Sequence, residues 1–257
     1  MTRVRPLLLL ATRAEDAAAD DEYEAFLRYT ELPERLLRRV RLERAPLGAI
    51  DLDDVSGVLV GGSPFTVSDP PERKSPVQRR VEAELADLVD AVLARRVPFL
   101  GACFGIGTLG AAVGAVVDRR YGEDVGAVPI SLTEAGRADR LFGALPPVFE
   151  AFVGHKEAIA ELPSRAVLLA SSPTCPVQAF RVGPAAWATQ FHPELDIDGL
   201  ATRVEVYQHA GYFDPDEADT VTALARASDV VHPPELLRRF VQLFVRDDEP
   251  ADVGALS

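Results

Sequence analysis

Short apolar runs alternate with longer amphipathic segments along the N-terminal part of the chain. The runs at 7–12, 57–62 and 97–102 are too short for helices and rich in aliphatic residues, which is typical of buried strands. Residues 20–30 and 75–96 place apolar side chains at helical spacing, and the second of these segments opens with serine and proline, a favourable helix start. Buried strands that alternate with helices predict a parallel sheet covered on both faces.

The pattern changes in the second half of the chain. Residues 119–153 contain stretches typical of antiparallel strands, further strands follow up to residue 191, and the segments beyond them have helical character. We therefore predict an α/β fold with an open, mostly parallel sheet flanked by helices. Residues 1–212 are predicted to form one domain, and residues 213–257 a helical C-terminal extension packed on it.

The formal net charge of −13 narrows the choice of partner. An acidic surface repels phosphate backbones and anionic lipid headgroups, so that neither nucleic acid nor a membrane is expected and a small-molecule substrate is favoured. Two cysteines, Cys103 and Cys175, do not make a disulfide framework, which favours a reducing, cytoplasmic setting. The apolar stretch at 6–11 is shorter than the core of a signal peptide, and no segment approaches the roughly 20 apolar residues of a membrane span.

A cysteine stands between two glycines in the stretch FLGACFGIGTLGAA, directly after the strand predicted at 97–102. Gly-x-Cys-x-Gly at a strand-to-helix turn has the features of a nucleophile elbow, because the glycines permit close backbone approach and the nucleophile stands at the carboxyl end of the sheet. The N-terminus of the next helix favours a thiolate and offers N–H groups to an oxyanion. Cys103 is therefore a candidate nucleophile; the alternative is a small side chain that fills space in the core.

A His-Pro-Glu sequence follows the strand-like run that ends at residue 191. A neutral His192 is able to accept a thiol proton, and Glu194 is able to orient the ring and stabilise its charged form. The two side chains point the same way if the backbone stays extended through Pro193. The alternative is a polar surface turn, since proline ends strands.

Two glycines, Gly61 and Gly62, end the strand predicted at 57–62. The loop that follows them is able to present backbone N–H groups to an anion or to a tetrahedral intermediate; the alternative is an ordinary glycine turn. The glycine loop, the cysteine and the His-x-Glu sequence all lie at the ends of predicted strands, where open α/β sheets place their functional sites.

The stretches VLVGGSP, VPFLGACFGIGTLGAA and TQFHPE occur in the order found in class I glutamine amidotransferases, and the chain resembles the glutaminase type of guanosine monophosphate synthetase. The resemblance implies a flavodoxin-like fold and a Cys103–His192–Glu194 triad that hydrolyses a glutamine side chain through a glutamyl thioester. It implies no cofactor, and no spacing of His, Cys, Asp and Glu resembles a zinc site. The oxyanion and substrate-binding residues that it implies are Gly61, Gly62, Phe104, Gly105 and His155, with the N–H groups of Gly62 and Phe104 as oxyanion donors.

His155 belongs to the stretch VGHKEAI, which resembles a family segment near the glutamine pocket; the alternative is a surface turn. One position departs from the family pattern. The family commonly has Cys-x-Gly-x-Gln after the nucleophile, with a glutamine that helps to hold the substrate, whereas this chain has Gly107 there. A lost polar contact to the substrate costs about 1–3 kcal/mol, so that the departure opens two alternatives: a different pocket for glutamine, or a different amide.

Three functions remain open at this stage. The first is hydrolysis of glutamine, and the absence of a P-loop or dinucleotide-binding motif implies that its ammonia goes to a separate synthase subunit or to water. The second is hydrolysis of a larger γ-glutamyl amide, since Gly107 leaves room beside the nucleophile. The third is a non-catalytic binding module of the same fold, which the intact Cys, His and Glu disfavour. A homodimer is compatible with each of them.

Overall fold

The computed structural model of the chain describes residues 4–245. Its strands are Leu7–Ala11 (β1), Leu37–Arg41 (β2), Gly57–Val60 (β3), Phe99–Ala102 (β4), Val116–Asp118 (β5), Glu123–Leu132 (β6), Val148–His155 (β7), Ala158–Glu161 (β8), Ala166–Ser171 (β9), Ala179–Val182 (β10) and Ala186–Thr189 (β11). Nine of these strands form one sheet in the order β2-β1-β3-β4-β11-β10-β9-β6-β7, and β5 and β8 make a separate antiparallel pair.

The sheet has a parallel part and an antiparallel part. Strands β2, β1, β3, β4 and β11 run parallel to one another. Strands β10, β9, β6 and β7 continue the sheet in antiparallel pairings. The predicted fold class, an α/β sheet with a more antiparallel section in the second half of the chain, is confirmed. The carboxyl ends of β3, β4 and β11 meet at one edge because these strands are neighbours and parallel.

Helices cover both faces of the sheet. They are Asp16–Thr30 (α1), Pro76–Arg95 (α2), Phe104–Val113 (α3), Glu134–Ala138 (α4), Ile197–Val206 (α5), Ala218–Ala227 (α6) and Glu235–Phe244 (α7). Alternate residues of β1 face opposite layers: Leu8 and Leu10 pack in the core with α2 and α3, whereas Leu7 and Leu9 pack in the core with α1 and α7. This two-sided burial explains the unbroken apolar run of the first strand.

Helix α2 begins where its sequence predicts. The Ser75 hydroxyl accepts a hydrogen bond from the Gln78 N–H at 3.0 Å, and proline occupies the first turn. Capping by serine satisfies one of the N–H groups that a helix start leaves without a backbone partner. The buried face of the helix carries Val81, Leu85, Leu88, Val89 and Val92, the helical spacing expected from the sequence.

The C-terminal extension predicted for 213–257 contains α6 and α7 as far as residue 245, and residues 246–257 lie outside the described part of the chain. Leu236, Leu237 and Phe240 of α7 are fully buried in the same core as the strands of the sheet. A domain boundary at residue 212 stays a prediction. Among residues 4–245, no helix combines the length and apolarity that crossing a membrane requires.

Candidate active site

Two small chambers open on either side of Cys103 at the carboxyl edge of the parallel strands. The first has a volume of about 40 Å³ and the second about 20 Å³, enough for a few water molecules and for one. His192 lines the first chamber, and both chambers are lined by Ser63, Cys103, Gly154 and Tyr212. The predicted glycine loop, cysteine and histidine therefore come together around one thiol.

Cys103 occupies the turn between β4 and α3 with an unusual backbone conformation, φ +53° and ψ −96°. A positive φ is strained for a residue with a side chain, and such strain recurs at nucleophile elbows. Close packing requires the flanking glycines: a Cβ on Gly101 would lie 2.6 Å from the Gly105 carbonyl oxygen, and one on Gly105 would lie 3.0 Å from the Val60 carbonyl oxygen. The Cys103 N–H donates to the Thr189 carbonyl at 2.8 Å, which ties the turn to β11.

The Cys103 thiol is protonated in the resting site. Burial raises the pKa of Cys103 to about 12, although the positive charges of Arg13 and Arg203 act in the opposite direction. The sequence predicted that the helix N-terminus would favour a thiolate, but burial favours the neutral thiol and is the larger effect. For this sulfur to act as a nucleophile, a base has to remove the thiol proton.

His192 and Glu194 meet across a tight turn. The sequence suggested an extended backbone through Pro193, but Pro193 and Glu194 lie in a turn, and the Leu195 N–H reaches the His192 carbonyl at 3.5 Å. His192 Nδ1 lies 2.8 Å from Glu194 Oε1. Because a carboxylate only accepts hydrogen bonds, Nδ1 carries the proton and Nε2 is left as the acceptor for a thiol proton.

Burial and the interaction between the two side chains act in opposite directions on each pKa, and the pKa values of both His192 and Glu194 lie below their ordinary values. Burial lowers the pKa of His192, and the negative charge of Glu194 offsets only part of that effect. Burial raises the pKa of Glu194, but the interaction with the His192 ring and the positive charge of Arg203 outweigh it and hold the pKa well below its ordinary value. A neutral imidazole beside an ionised carboxylate is the arrangement that a general base requires.

A buried cluster of charges contains Glu194 and three further residues, Arg13, Glu22 and Arg203. Arg203 Nη2 donates to Glu194 Oε1 at 2.8 Å and lies 3.6 Å from Glu22 Oε1, while Arg13 Nε donates to Glu22 Oε1 at 2.9 Å. Glu22 and Glu194 are fully buried. No local pattern marks Arg13, Glu22 or Arg203 as site residues, because only the fold brings their three separate segments together.

Gly61 and Gly62 leave room for this cluster and for the histidine. A Cβ on Gly61 would lie 2.6 Å from Glu22 Oε2, and a Cβ on Gly62 would lie 2.5 Å from Arg13 Nη2 and 2.7 Å from His192 Cε1. The Gly62 N–H donates to Glu22 Oε1 at 3.2 Å, so that it is engaged away from the thiol in this conformation. Its role as an oxyanion donor stays a prediction, as does that of Phe104 at the start of α3.

Glu157 lies where the departure at Gly107 leaves space. A Cβ on Gly107 would lie 3.2 Å from Val67 Cγ2 and 3.7 Å from Glu157 Oε1. Glu157 accepts hydrogen bonds from the N–H groups of Val67 at 2.6 Å and Ser68 at 2.7 Å. The carboxylate of Glu157 thus borders the second chamber. Glu157 is not among the site residues predicted from the sequence.

His155 borders the second chamber but is held by other residues. Its Nε2 lies 2.8 Å from Glu123 Oε2, and its Nδ1 lies 2.9 Å from the Glu157 carbonyl oxygen. Ligand atoms of Glu123, His155 and Cys175 lie within 4.8 Å of one another. The Glu123 carboxylate also accepts hydrogen bonds from the side chains of Gln178, Ser172 and Thr174. Because these contacts already satisfy the carboxylate, the cluster serves as a polar network that joins β6 and β7 to the loop before β10.

The segment between α5 and α6 covers the thiol. Tyr212 lines both chambers, and Lys156 Nζ lies 4.5 Å from the centroid of its ring and donates to the Ala210 carbonyl. The Tyr207 hydroxyl donates to Glu15 Oε2 at 3.0 Å and lies 3.4 Å from Arg13 Nη1. Tyr207 and Tyr212 thus line the first chamber together with Cys103.

The part of the chain that carries this site matches a known protein family. The sequence profile of the family described as "Glutamine amidotransferase class-I" matches residues 36–202, which span β2 to α5. The matched segment includes all three candidate triad residues and both glycines of the loop after β3.

Individual relatives agree with the family match. The chain is 30% identical over 181 residues to a glutamine-hydrolysing GMP synthase of Cytophaga hutchinsonii, an alignment that covers 65% of this chain but only 31% of that protein. It is 26% identical over 170 residues to one subunit of a glutamine-hydrolysing GMP synthase from Methanothermobacter thermautotrophicus, covering 66% of this chain and 79% of that protein. A crystal structure of a glutamine amidotransferase from Thermotoga maritima superposes with a TM-score of 0.74 at 22% identity, over 95% of this chain and 99% of that one.

Proposed function

Since the chain belongs to the class I glutamine amidotransferase family, we propose that it hydrolyses the side-chain amide of glutamine to glutamate and ammonia through a thioester on Cys103. The observation that carries the proposal is the His192 Nδ1–Glu194 Oε1 contact of 2.8 Å beside a cysteine on a strained elbow. Cys103 and His192 line the same chamber.

The first half of the reaction forms the thioester. His192 Nε2 takes the proton from the Cys103 thiol as the sulfur attacks the amide carbon, and the carbonyl oxygen becomes an oxyanion. The N–H of Phe104, at a helix start with no helical acceptor, supports the oxyanion, and the Gly62 N–H joins it once released from Glu22. The imidazolium then protonates the amide nitrogen, the C–N bond breaks and ammonia leaves.

The second half releases glutamate. Water takes the place of ammonia, His192 removes one of its protons, and the oxygen attacks the thioester carbon. The C–S bond breaks, and the imidazolium returns its proton to the sulfur. Glu194 stays ionised throughout and stabilises the charged ring in both halves.

Glu157 is proposed to bind the α-ammonium group of the substrate. Its carboxylate borders the second chamber, and the backbone donors of Val67 and Ser68 fix its position. A charge-assisted contact of this kind compensates for the glutamine side chain that Gly107 lacks.

The released ammonia is proposed to serve a separate synthase. The similarity to the Methanothermobacter protein supports this, because that protein is itself named as one subunit of a GMP synthase. This chain spans less than a third of the length of the Cytophaga synthase that it resembles, at 31%. Candidate synthases added to the purified protein and glutamine identify the acceptor, because the true partner consumes the released ammonia.

Ammonia release from glutamine by the purified protein tests the proposed activity. Cys103→Ala is expected to lower the rate by about a thousandfold or more, since the thioester cannot form. Cys175→Ala is the matched control, because Cys175 is the other cysteine and lies in the polar network beyond the chambers. Equal rates for Cys103→Ala and the wild type would overturn the proposal. If larger γ-glutamyl amides react faster than glutamine in the same assay, the substrate is a γ-glutamyl amide of that kind and not glutamine.

A further inference from the structure

Arg203 approaches both polar members of the triad from helix α5. Its Nη2 donates to Glu194 Oε1 at 2.8 Å, and its Nη1 lies 3.0 Å from His192 Nδ1. His192 Nδ1 already carries the proton that it donates to Glu194, so that the second distance is a charge contact. The guanidinium therefore touches the carboxylate directly and places a positive charge against the ring.

Glu22 forms a second, longer ion pair with Arg203. Its Oε1 lies 3.6 Å from Arg203 Nη2 and accepts hydrogen bonds from Arg13 Nε at 2.9 Å and from the Gly62 N–H at 3.2 Å. Glu22 comes from α1, Arg203 from α5 and Gly62 from the loop after β3. One buried carboxylate thus connects the helix that bears Arg203 with the glycine loop beside the thiol.

Each carboxylate of this cluster is restrained through one oxygen. Among residues 4–245, the Oε2 atoms of Glu22 and Glu194 are buried and have no hydrogen-bond partner. A carboxylate held on one side is free to rotate about its last bond unless the donor on that side is rigid. Arg203 restrains Glu194, because its planar guanidinium donates to Glu194 Oε1 through Nη2 while Nη1 lies against His192 Nδ1.

We propose that Arg203 is a positioning residue of the triad, which fixes Glu194 against His192 and connects the triad through Glu22 to the loop at Gly62. The inference rests on the proposed function, since it assigns Arg203 a part in the same hydrolysis. A purely structural ion pair would leave the behaviour of the imidazole unchanged when Arg203 is replaced.

The charge of Arg203 also opposes protonation of His192, as its distance of 3.0 Å from Nδ1 requires. Removal of that charge is expected to make the ring easier to protonate, so that its titration moves to higher pH. The charged and titratable groups that face His192 or Arg203 from all the packed elements are Cys103, Glu194, Arg13, Glu22, Asp21, Tyr207 and Tyr212.

The titration of His192 in the NMR spectrum of the full chain is the first measurement, because it requires no substrate. The chain has four histidines, which makes assignment practical. Arg203→Met is expected to move the His192 titration to higher pH, whereas Arg203→Lys, which keeps the charge, is expected to leave it near the wild-type position. Arg181→Met is the control, since Arg181 pairs with Asp139 at 2.8 Å in another part of the sheet.

Glutamine turnover is the second measurement. Both variants are expected to lower kcat by about tenfold or more with a smaller change in KM, because neither methionine nor lysine supplies the planar guanidinium whose Nη2 donates to Glu194 Oε1. Only Arg203→Met is expected to move the acid limb of the pH profile upward as well. Should Arg203→Met not fold, Arg203→Lys decides alone: a loss in kcat supports the positioning role, and wild-type kcat overturns it.

The two proposals fail in different ways. A wild-type protein that releases no ammonia from glutamine contradicts the proposed function, while the NMR titration still reports whether Arg203 controls His192. A wild-type protein that is active, with an Arg203→Met variant that shows unchanged kcat and an unchanged His192 titration, overturns the role of Arg203 and leaves the proposed function intact.

Discussion

His192 is the residue on which the proposed hydrolysis depends, and its surroundings favour the neutral ring. Burial lowers its pKa, Glu194 opposes this change, and the nearby charges of Arg203 and Arg13 reinforce it. The thiol, with a pKa raised to about 12, is protonated at neutral pH. In the proposed reaction the neutral imidazole accepts the thiol proton as the sulfur attacks the substrate.

The pH dependence of kcat/KM for glutamine follows from that pair. The proposed reaction needs neutral His192, so that activity is expected to rise with pH as the ring loses its proton. Because the pKa lies below the ordinary value of 6.5, the midpoint of the acid limb is expected below pH 6.5. Initial rates from about pH 5 to about pH 8 give the midpoint. A midpoint at or above 6.5 would contradict the environment described for His192.

Gly62 offers a steric test of the loop beside the histidine. Gly62→Ala puts a Cβ 2.5 Å from Arg13 Nη2 and 2.7 Å from His192 Cε1, so that the loop or the ring has to move. Turnover of glutamine is expected to fall by about tenfold or more, since small misplacements of catalytic groups are costly. Gly126→Ala is the control, because its Cβ would enter open space. Similar turnover in the two variants would argue against close packing at the triad.

Glu157 offers a test of substrate binding. Glu157→Gln keeps the size of the side chain but removes the charge proposed to bind the α-ammonium group. KM for glutamine is expected to rise by about tenfold or more with a smaller change in kcat, as befits a binding contact. Glu82→Gln removes a carboxylate paired with Lys74 and serves as the control. A change in kcat with an unchanged KM would contradict the binding role, and would indicate that Glu157 acts in the reaction itself or holds the loop at 67–68.

At the scale of elements, the sequence identified the parts whose signals are local. The apolar runs of β1, β3 and β4 and the capped start of α2 agree with the structure because their patterns depend on neighbouring residues only. The strand-to-helix turn at Cys103 was predictable for the same reason, since Gly101 and Gly105 are needed for backbone contacts within a few residues.

The Ser75 cap gives a stability prediction at this scale. Ser75→Ala removes the acceptor of the Gln78 N–H and is expected to lower the free energy of unfolding by about 1 kcal/mol. Ser75→Asp, which also caps helices, should restore most of it. Urea unfolding measures both changes, and glutamine turnover should stay near the wild-type rate. A Ser75→Ala variant as stable as the wild type would show that the cap contributes little to α2.

At the scale of the whole molecule, the fold assembles what no local pattern reveals. Arg13, Glu22 and Arg203 come from three separate segments, and their common cluster exists only once β1, α1 and α5 are packed. Glu157 likewise reaches the second chamber through contacts with the loop at 67–68. The sequence located the three triad candidates, but the charges that tune and hold them depend on tertiary packing.

The turn at Pro193 and the engaged N–H of Gly62 also depend on tertiary packing. The His192 N–H donates to the Phe152 carbonyl at 3.1 Å, and this contact with β7 directs the chain into the turn that brings Glu194 to the ring. Glu22, which accepts the Gly62 N–H, belongs to a helix distant in sequence from the loop. Backbone direction after a strand is therefore set by partners that a local pattern does not contain.

Covalent capture of the nucleophile tests the central claim most directly. A chloroketone with the shape of glutamine loses chloride as a cysteine sulfur attacks it, and peptide mass spectrometry then locates the bond. We predict modification of Cys103 but not of Cys175, protection by excess glutamine, and loss of modification in His192→Gln, which lacks the base. Modification that glutamine does not prevent, or an unmodified Cys103 in a protein that still releases ammonia, would contradict catalysis through this thiol.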